Sequence, residues 1–596
     1  MEMSAKPQEE CGSIRVVVVQ SRDFSSILRT LMALKAVKQL YPKIEITFVC
    51  RDRFSEPVRK VSWIDNVKSI PVDQFVDPVI KEGVTEKKML GAMAIWLRPL
   101  IENPWDIFVD WSFDEVGSYL SALIPAYVKL GFSRNSNNGL ICADDWSQYI
   151  QAIVQTEINQ DIHITDIMTT QLLTALQVNY GPPANENQDK AVTESEFFNV
   201  KVEGNLFNRL DRTTDKKWVV IHLGASDEGW CWSNSNWADL VETVLHRHPD
   251  HGVIVLGGQS YENFHALVSG TSLSEFKASG RLQLLIGEVT FDEWVFALNL
   301  GSALISSDSA AIHLASILGV RALCLNATQE RNFVKGPYGN GHVVLVGENL
   351  SVNSVYHTWK NAILDWSRSE SARLIEHLKD ALTESEAATI QIFKSRIRPV
   401  DDGGGVVFED IEKKSITYKE WISKVNSHIA RVWFCGWAPN VEQELEQSRI
   451  DFRLLKELRE IKDPVYQVCE LMTKCVDVAS DLATLSEISS DSQVMSVERK
   501  DKVQRLGGEL SKADRVLDEM SSKFPILRVL SQSSRVMMHN LHGDELLDIS
   551  LESLKAYKRL SDGAFVIKEW VDKTFYIAKP KPISKREFGK DGGLVR

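Results

Sequence analysis

The stretch Leu304–Gly319 (LISSDSAAIHLASILG) constrains the fold more than any other part of the chain. Leu304 and Ile305 close a short apolar run that reads as a buried strand. Ser306, Ser307, Asp308 and Ser309 then make a polar turn and offer a helix N-cap. Ile312, Leu314, Ala315, Ile317 and Leu318 recur at helical spacing until Gly319 ends the run. A strand running into a capped helix leaves unpaired N–H groups and a positive dipole end at the strand's carboxyl edge, where α/β proteins hold phosphates. His313 lies one turn into that helix. It is placed either to face such a ligand or to fill the core as a satisfied histidine.

The same grammar recurs along the chain. Ile14–Gln20 (IRVVVVQ) is a continuous β-branched run, the mark of a central parallel strand buried on both faces. Ser25–Leu40 follows at helical spacing, and Ile44–Cys50 is the next strand. Val67–Pro71 and Trp105–Asp110 (WDIFVD) read as further strands. Phe113–Leu130 reads as helix that Pro125 kinks or breaks. Asn179–Asp189 is rich in Pro, Asn and Gly and reads as a surface loop or hinge. Trp218–Gly224 (WVVIHLG), His251–Gly258 (HGVIVLGG), Leu282–Ile286 and Arg321–Asn326 are the strands of a second α/β domain, and Val343–Val346 closes it. Ser354–Leu382 reads as helical. Alternation of this kind predicts two parallel sheets covered by helices.

Beyond Asp401–Gly405 (DDGGG), a flexible break, the pattern changes. Asp451–Leu482 (broken near Pro464), Val497–Phe524 and Leu546–Leu560 have apolar residues at spacings of three and four, which predicts a helical bundle. The expected organisation is a disordered leader over 1–12, α/β domains over 13–185 and 215–395, a mainly helical domain over 406–578 and a basic tail over 579–596. That tail (KPKPISKREFGK) is a solvated end or a contact for an acidic partner or membrane surface.

Composition narrows the function classes. A net charge of −13 over 596 residues argues against a nucleic-acid binder, which needs basic patches to meet phosphates. The eight cysteines show no CxxC and no metal-ligand spacing, which fits reduced, buried thiols and a cytoplasmic setting. No apolar run reaches membrane-span length.

Asp308, Ser309, His313, Leu314, Ala315, Gly319 and Val320 together resemble the signature of the heptosyltransferases, glycosyltransferase family 9, with Ala310 where that family has Gly. The resemblance runs in order from about residue 13 to about residue 382. It implies a GT-B fold, two Rossmann-like domains facing a cleft, here followed by a mainly α-helical C-terminal domain. It further implies a nucleotide sugar held mainly by the second domain, with no metal cofactor. The usual donor is ADP-heptose, and the usual acceptor is the lipopolysaccharide inner core. Another glycan or a protein is also open as acceptor, and the helical region hints at a protein partner. The expected setting is cytoplasmic, with peripheral contact at the inner membrane left open.

Residue by residue, the resemblance places donor contacts at Asp308, Ser309, Ala310 and His313. Ser226, in the turn after the Trp218–Gly224 strand, is a further candidate for the pyrophosphate. Glu262 is a candidate for the ribose hydroxyls, or simply a solvated helix-start glutamate. Two positions depart from the family pattern. The Gly-Asp pair that carries the general base falls on Ser25 and Ser26, which leaves Asp23, three residues earlier, as the available base or as a turn and cap residue. The Lys-Arg pair that faces the diphosphate falls on Trp230 and Cys231, ahead of Trp232 and Trp237, which keep the family spacing. Arg29, Arg331 and Lys335 are the nearby cations. The two departures leave two readings: an active inverting transferase, or a weakened GT-B protein that binds a nucleotide sugar or scaffolds a glycosylation pathway.

Overall fold

The computed structural model describes residues 13–72, 75, 86–182, 197–199, 217–225, 231–287, 289–326, 334–364, 390–398, 405–411, 415–435, 440–446, 448, 450–490, 497–541 and 545–578. The chain divides into two compact units, Met1–Thr156 with Gln160–Glu412, and Glu157–Asn159 with Lys413–Arg596. The expected leader, hinge and basic tail lie largely or wholly outside the described residues.

The first unit contains two sheets. In the first, β1 (Ile14–Gln20), β2 (Ile44–Arg51), β3 (Asn66–Ile70), β4 (Trp105–Asp110) and β5 (Ala126–Leu130) run in the order β3-β2-β1-β4-β5, all parallel. Val16, Val17, Val18 and Val19 are each 0% exposed. At about 1.5–3 kcal/mol per buried aliphatic side chain, this run can only be a central strand. A small hairpin of β6 (Phe132–Arg134) and β7 (Leu140–Cys142) stands beside it.

The second sheet contains β8 (Lys217–His222), β9 (His251–Gly257), β10 (Leu282–Ile286), β11 (Gly301–Ser307), β12 (Ala322–Asn326), β13 (Val343–Val346), β14 (Gln391–Ile397) and β15 (Val406–Asp410). Its order is β10-β9-β8-β11-β12-β13-β14-β15. The first six strands are parallel, and β14 and β15 add on antiparallel. In both sheets the strand order reverses at the first strand of the domain, between β1 and β4 and between β8 and β11. Such switch points are where open parallel sheets hold ligands, at the carboxyl ends of the strands.

The helices that position the site are α1 (Phe24–Leu40), α2 (Glu86–Ile101), α3 (Glu115–Leu123), α4 (Ile164–Tyr180), α5 (Asn234–Arg247), α6 (Phe291–Leu300), α7 (Ala310–Ile317) and α8 (Val352–Trp359). Most starts are capped as their sequences require. Asp23, Asp114, Ser233 and Thr290 each accept a bond from a first-turn N–H, and Thr290 with Glu293 forms a capping box.

Several expectations are corrected. Phe113–Leu130 is not one helix: α3 ends at Leu123, and Ala126–Leu130 becomes strand β5 beside β4. Pro125 disfavours helix at Ile124, whose backbone is extended, and its carbonyl accepts from Trp105 N–H. Residues 406–410, read as part of a small mixed segment opening the mainly helical domain, form the edge strand of the second sheet. Of the stretch Ser354–Leu382, the structure describes helix α8 and residues to 364; the remainder lies outside the described residues.

The second unit is built from α9 (Tyr418–Cys435), α10 (Phe452–Ser490), α11 (Val497–Lys523), α12 (Arg528–His539) and α13 (Leu546–Ile577). Its core includes Trp421, Leu458, Val468, Met472, Leu560, Ile567 and Trp570. Trp421 Nε1 donates to Thr574 Oγ1 (3.1 Å), and Trp570 Nε1 donates to His428 Nδ1 (2.9 Å). Here too the structure corrects the sequence: α10 continues through Pro464. Proline removes one N–H and crowds one turn, but buried Ile461, Val465 and Val468 around it keep the helix face in the core.

Candidate active site at the carboxyl edges of two parallel sheets

The loop after β1 supplies the first group. Asp23 is the N-cap of α1. Its Oδ1 accepts from Ser26 N–H (2.8 Å) and its Oδ2 accepts from Ser26 Oγ (3.1 Å). Asp23 is exposed, whereas Ser26 is buried. Partial burial would raise the Asp23 carboxyl, but Arg29, the two Ser26 hydrogen bonds and Arg22 together hold it below the usual carboxylate range. It is therefore ionised and accessible, the state a general base requires. The Ser26 hydroxyl also accepts from Arg29 Nη2 (3.0 Å). Engaged on both sides, Ser26 orients Asp23 instead of standing free for chemistry.

Arg29 links the two domains. It is only 7% exposed, and its Nη1 lies 2.8 Å from His313 Nε2 on α7. A guanidinium can only donate, so His313 Nε2 accepts and its proton sits on Nδ1. That Nδ1 is buried without a partner among the described residues. Burial, followed by Arg29 and neighbouring His163, His342 and Lys335, holds His313 well below the ordinary histidine value, so the ring is neutral. Lys335 thus acts on the same ring as Arg29; Arg331 lies outside the described residues.

The turn after β11 is built as its sequence suggests, with one change. Ser309 is the N-cap of α7, but its hydroxyl makes no bond to the helix. It turns to Ser306 Oγ (2.9 Å) and His222 Nδ1 (3.3 Å), leaving the first-turn amides uncapped by a side chain. Ala310 opens that first turn, and Asp308, partly exposed, acts electrostatically on Arg29. His222, at the end of β8, is buried, and desolvation lowers it to about 4. It was missed in the sequence, where it reads only as the last residue of a strand.

Other predicted residues stand further off. Glu262 is exposed and follows the turn after β9, one strand from the switch point. Ser226 and Trp230 lie outside the described residues. Cys231, at the second family cation position, has Sγ 3.3 Å from Tyr261 Oη. Trp232 and Trp237 form an edge-to-face pair (4.8 Å) at the start of α5, and Trp232 Nε1 donates to Leu350 O (2.9 Å). Their spacing serves packing.

Further contacts join the two domains. Lys60 pairs with Asp292 (2.8 Å), Tyr338 Oη donates to Asp166 Oδ1 (2.8 Å), and the His163 Nε2–H donates to Gly336 O (3.0 Å). Phe24 stacks between Phe54 (6.1 Å) and Trp294 (6.3 Å). A grouping that could take a metal among the described residues, His248, Asp250 and His251, lies at the amino end of β9, the opposite edge of the sheet.

Two largely parallel sheets in one unit, with switch-point residues joined across α1 and α7, define a GT-B-like fold. Residues 102–359 match the model of glycosyltransferase family 9 (heptosyltransferase). The chain is 20% identical over 308 residues to lipopolysaccharide heptosyltransferase 1 of Campylobacter coli, covering 51% of this chain and 81% of that protein. Among solved structures, E. coli heptosyltransferase WaaC with ADP aligns over 59% of this chain and 100% of its own, at 14% identity and a TM-score of 0.44. A family 9 glycosyltransferase of Veillonella parvula aligns over 60% of this chain and 100% of its own, at 14% identity and a TM-score of 0.46. No helix among the described residues is long and apolar enough to cross a membrane.

Proposed function

We propose that the chain transfers a sugar from a nucleotide sugar, ADP-heptose or a close relative, to an acceptor hydroxyl on a lipopolysaccharide-core type glycan, with inversion. The observation that carries this reading is the Asp23–Ser26–Arg29–His313 chain, which connects an ionised, accessible carboxylate on one sheet edge to the uncapped N-terminus of α7 on the other. In the reaction, the acceptor oxygen attacks the anomeric carbon from the side of Asp23, which takes the hydroxyl proton. The bond from the anomeric carbon to the diphosphate oxygen breaks, and its electron pair leaves with the nucleotide. The diphosphate sits against the α7 amides beside Ser309 and Ala310, where the helix dipole favours negative charge. Glu262 accepts from the ribose hydroxyls.

Ser26 in place of the family aspartate fits an active enzyme in this reading, because its hydroxyl helps hold Asp23 as the substitute base. The test is calorimetric titration of ADP, UDP and GDP and their sugars against wild type and His313→Ala. Saturable binding of one nucleotide, weakened by the substitution, supports the donor site, and turnover with the matching sugar then tests transfer. Absence of binding by every nucleotide would overturn the reading.

A further inference from the structure

The transferase reading needs a positive charge for the departing diphosphate, and the two family cation positions are held by Trp230 and Cys231. Arg29 on α1 is a buried cation that the structure brings into contact with α7. Its two hydrogen-bond partners, His313 Nε2 and Ser26 Oγ, are both uncharged, and it forms no ion pair among the described residues. Asp23 and Asp308 act on it electrostatically. A buried guanidinium without an anion in contact is costly to keep, and an anionic ligand offsets that cost.

Two further features of α7 offer donors beside this contact. The α7 N-terminus has no side-chain cap, because the Ser309 hydroxyl turns to Ser306 and His222. His313 Nδ1–H, on the same helix and 0% exposed as a residue, has no partner among the described residues. Helix amides, a ring N–H and a guanidinium together form a donor-only environment suited to a diphosphate.

We propose that Arg29 is the leaving-group cation of this protein, supplied by the first domain to a diphosphate held by the second. The inference rests on the transferase reading and deepens it. As the bond to the anomeric carbon breaks, the electron pair passes to the β-phosphate oxygen, and the guanidinium balances the added charge without giving up a proton. Because the cation comes from α1, the diphosphate is completed as a ligand only where α1 meets α7. The phosphate nearest the sugar is the one that Arg29 distinguishes.

The test compares the diphosphate and monophosphate of adenosine, uridine and guanosine by calorimetry, on wild type, Arg29→Gln and Arg29→Lys, with folding checked by circular dichroism. Wild type is expected to bind one diphosphate at least about 10-fold more tightly than its monophosphate. Arg29→Gln, which keeps a polar group beside His313 and Ser26, is expected to bring that ratio near one. Arg29→Lys is expected to retain part of the preference. A preference that survives in the Gln variant overturns the role of Arg29 while leaving the transferase reading intact. A Lys variant that loses the preference as fully as Gln overturns it as well, and it remains decisive if Gln does not fold. Wild type that binds no diphosphate overturns the underlying reading instead.

Discussion

At the scale of single residues, Asp23 carries two duties that substitution can separate. It caps α1 and, in the proposed reaction, takes the acceptor proton. Asn caps a helix nearly as well as Asp but cannot act as a base. Asp23→Asn is therefore expected to lower turnover by about 10²- to 10⁴-fold while shifting the melting temperature little. Initial rates and a thermal melt on the same preparation check both halves. The pH dependence follows from the sign of the shift. The folded Asp23 carboxyl lies below its ordinary value, so it stays ionised until the solution is strongly acidic. Its contribution to stability is present above that ordinary value and is lost as pH falls through the folded one. The acid limb of the rate profile is expected well below pH 5. A limb near pH 6 would mean that another group is the base.

At the scale of elements, the end of β4 shows how closely two elements can be matched. Asp110 is 0% exposed, and burial, followed by Asp114, raises its carboxyl well above the usual range. Gly117 on α3 packs directly on it: an added Cβ would lie 1.9 Å from Asp110 Oδ1. Gly131 has φ +99°, and an added Cβ would lie 2.2 Å from Asp110 O. Gly117→Ala is expected to destabilise by about 1–3 kcal/mol through overpacking, read by urea denaturation. In the helical unit the reverse is expected. Because α10 runs unbroken through Pro464, Pro464→Ala restores a helix N–H and is expected to stabilise by up to about 3 kcal/mol. A neutral or destabilising result would show that the turn before Pro464 is fitted to the ring.

At the scale of the whole molecule, the α/β unit keeps neutral histidines in its interior. Desolvation lowers His163 to about 3, and His222 and His342 to about 4, and His313 lies well below its ordinary value. Below pH ~6.5 the unfolded chain takes up protons that the fold refuses, so stability falls with pH, by about 1.4 kcal/mol per pH unit for each such histidine. Asp110 and Asp144 are raised by burial and oppose this, since the penalty for keeping them neutral shrinks toward acid. The histidines outnumber them. The urea midpoint of this unit is expected to be lower at pH 5 than at pH 7; equal midpoints would mean that the buried rings are protonated at little cost.

Most of the α/β build was legible in the chain, because its signals are local. Runs such as IRVVVVQ and HGVIVLGG can be satisfied only as buried parallel strands, and the Leu304–Gly319 turn announces its own helix start. Where local preference and tertiary demand diverge, the sequence misleads. Ala126–Leu130 has no strong strand pattern and becomes β5 because β4 offers an unpaired edge. Pro464 ends no helix because apolar residues on both sides of it are buried. The candidate site was legible as a set of residue types, Asp23, Ser309 and His313 among them. What only the tertiary structure decided was their company. Arg29 and His313 are separated by 284 positions yet lie 2.8 Å apart, a contact set by how two sheets bring α1 and α7 together. His222, Tyr338 and His163 join the site or the domain contact for the same reason. A side chain's partners across a cleft depend on chain topology, which no local spacing encodes.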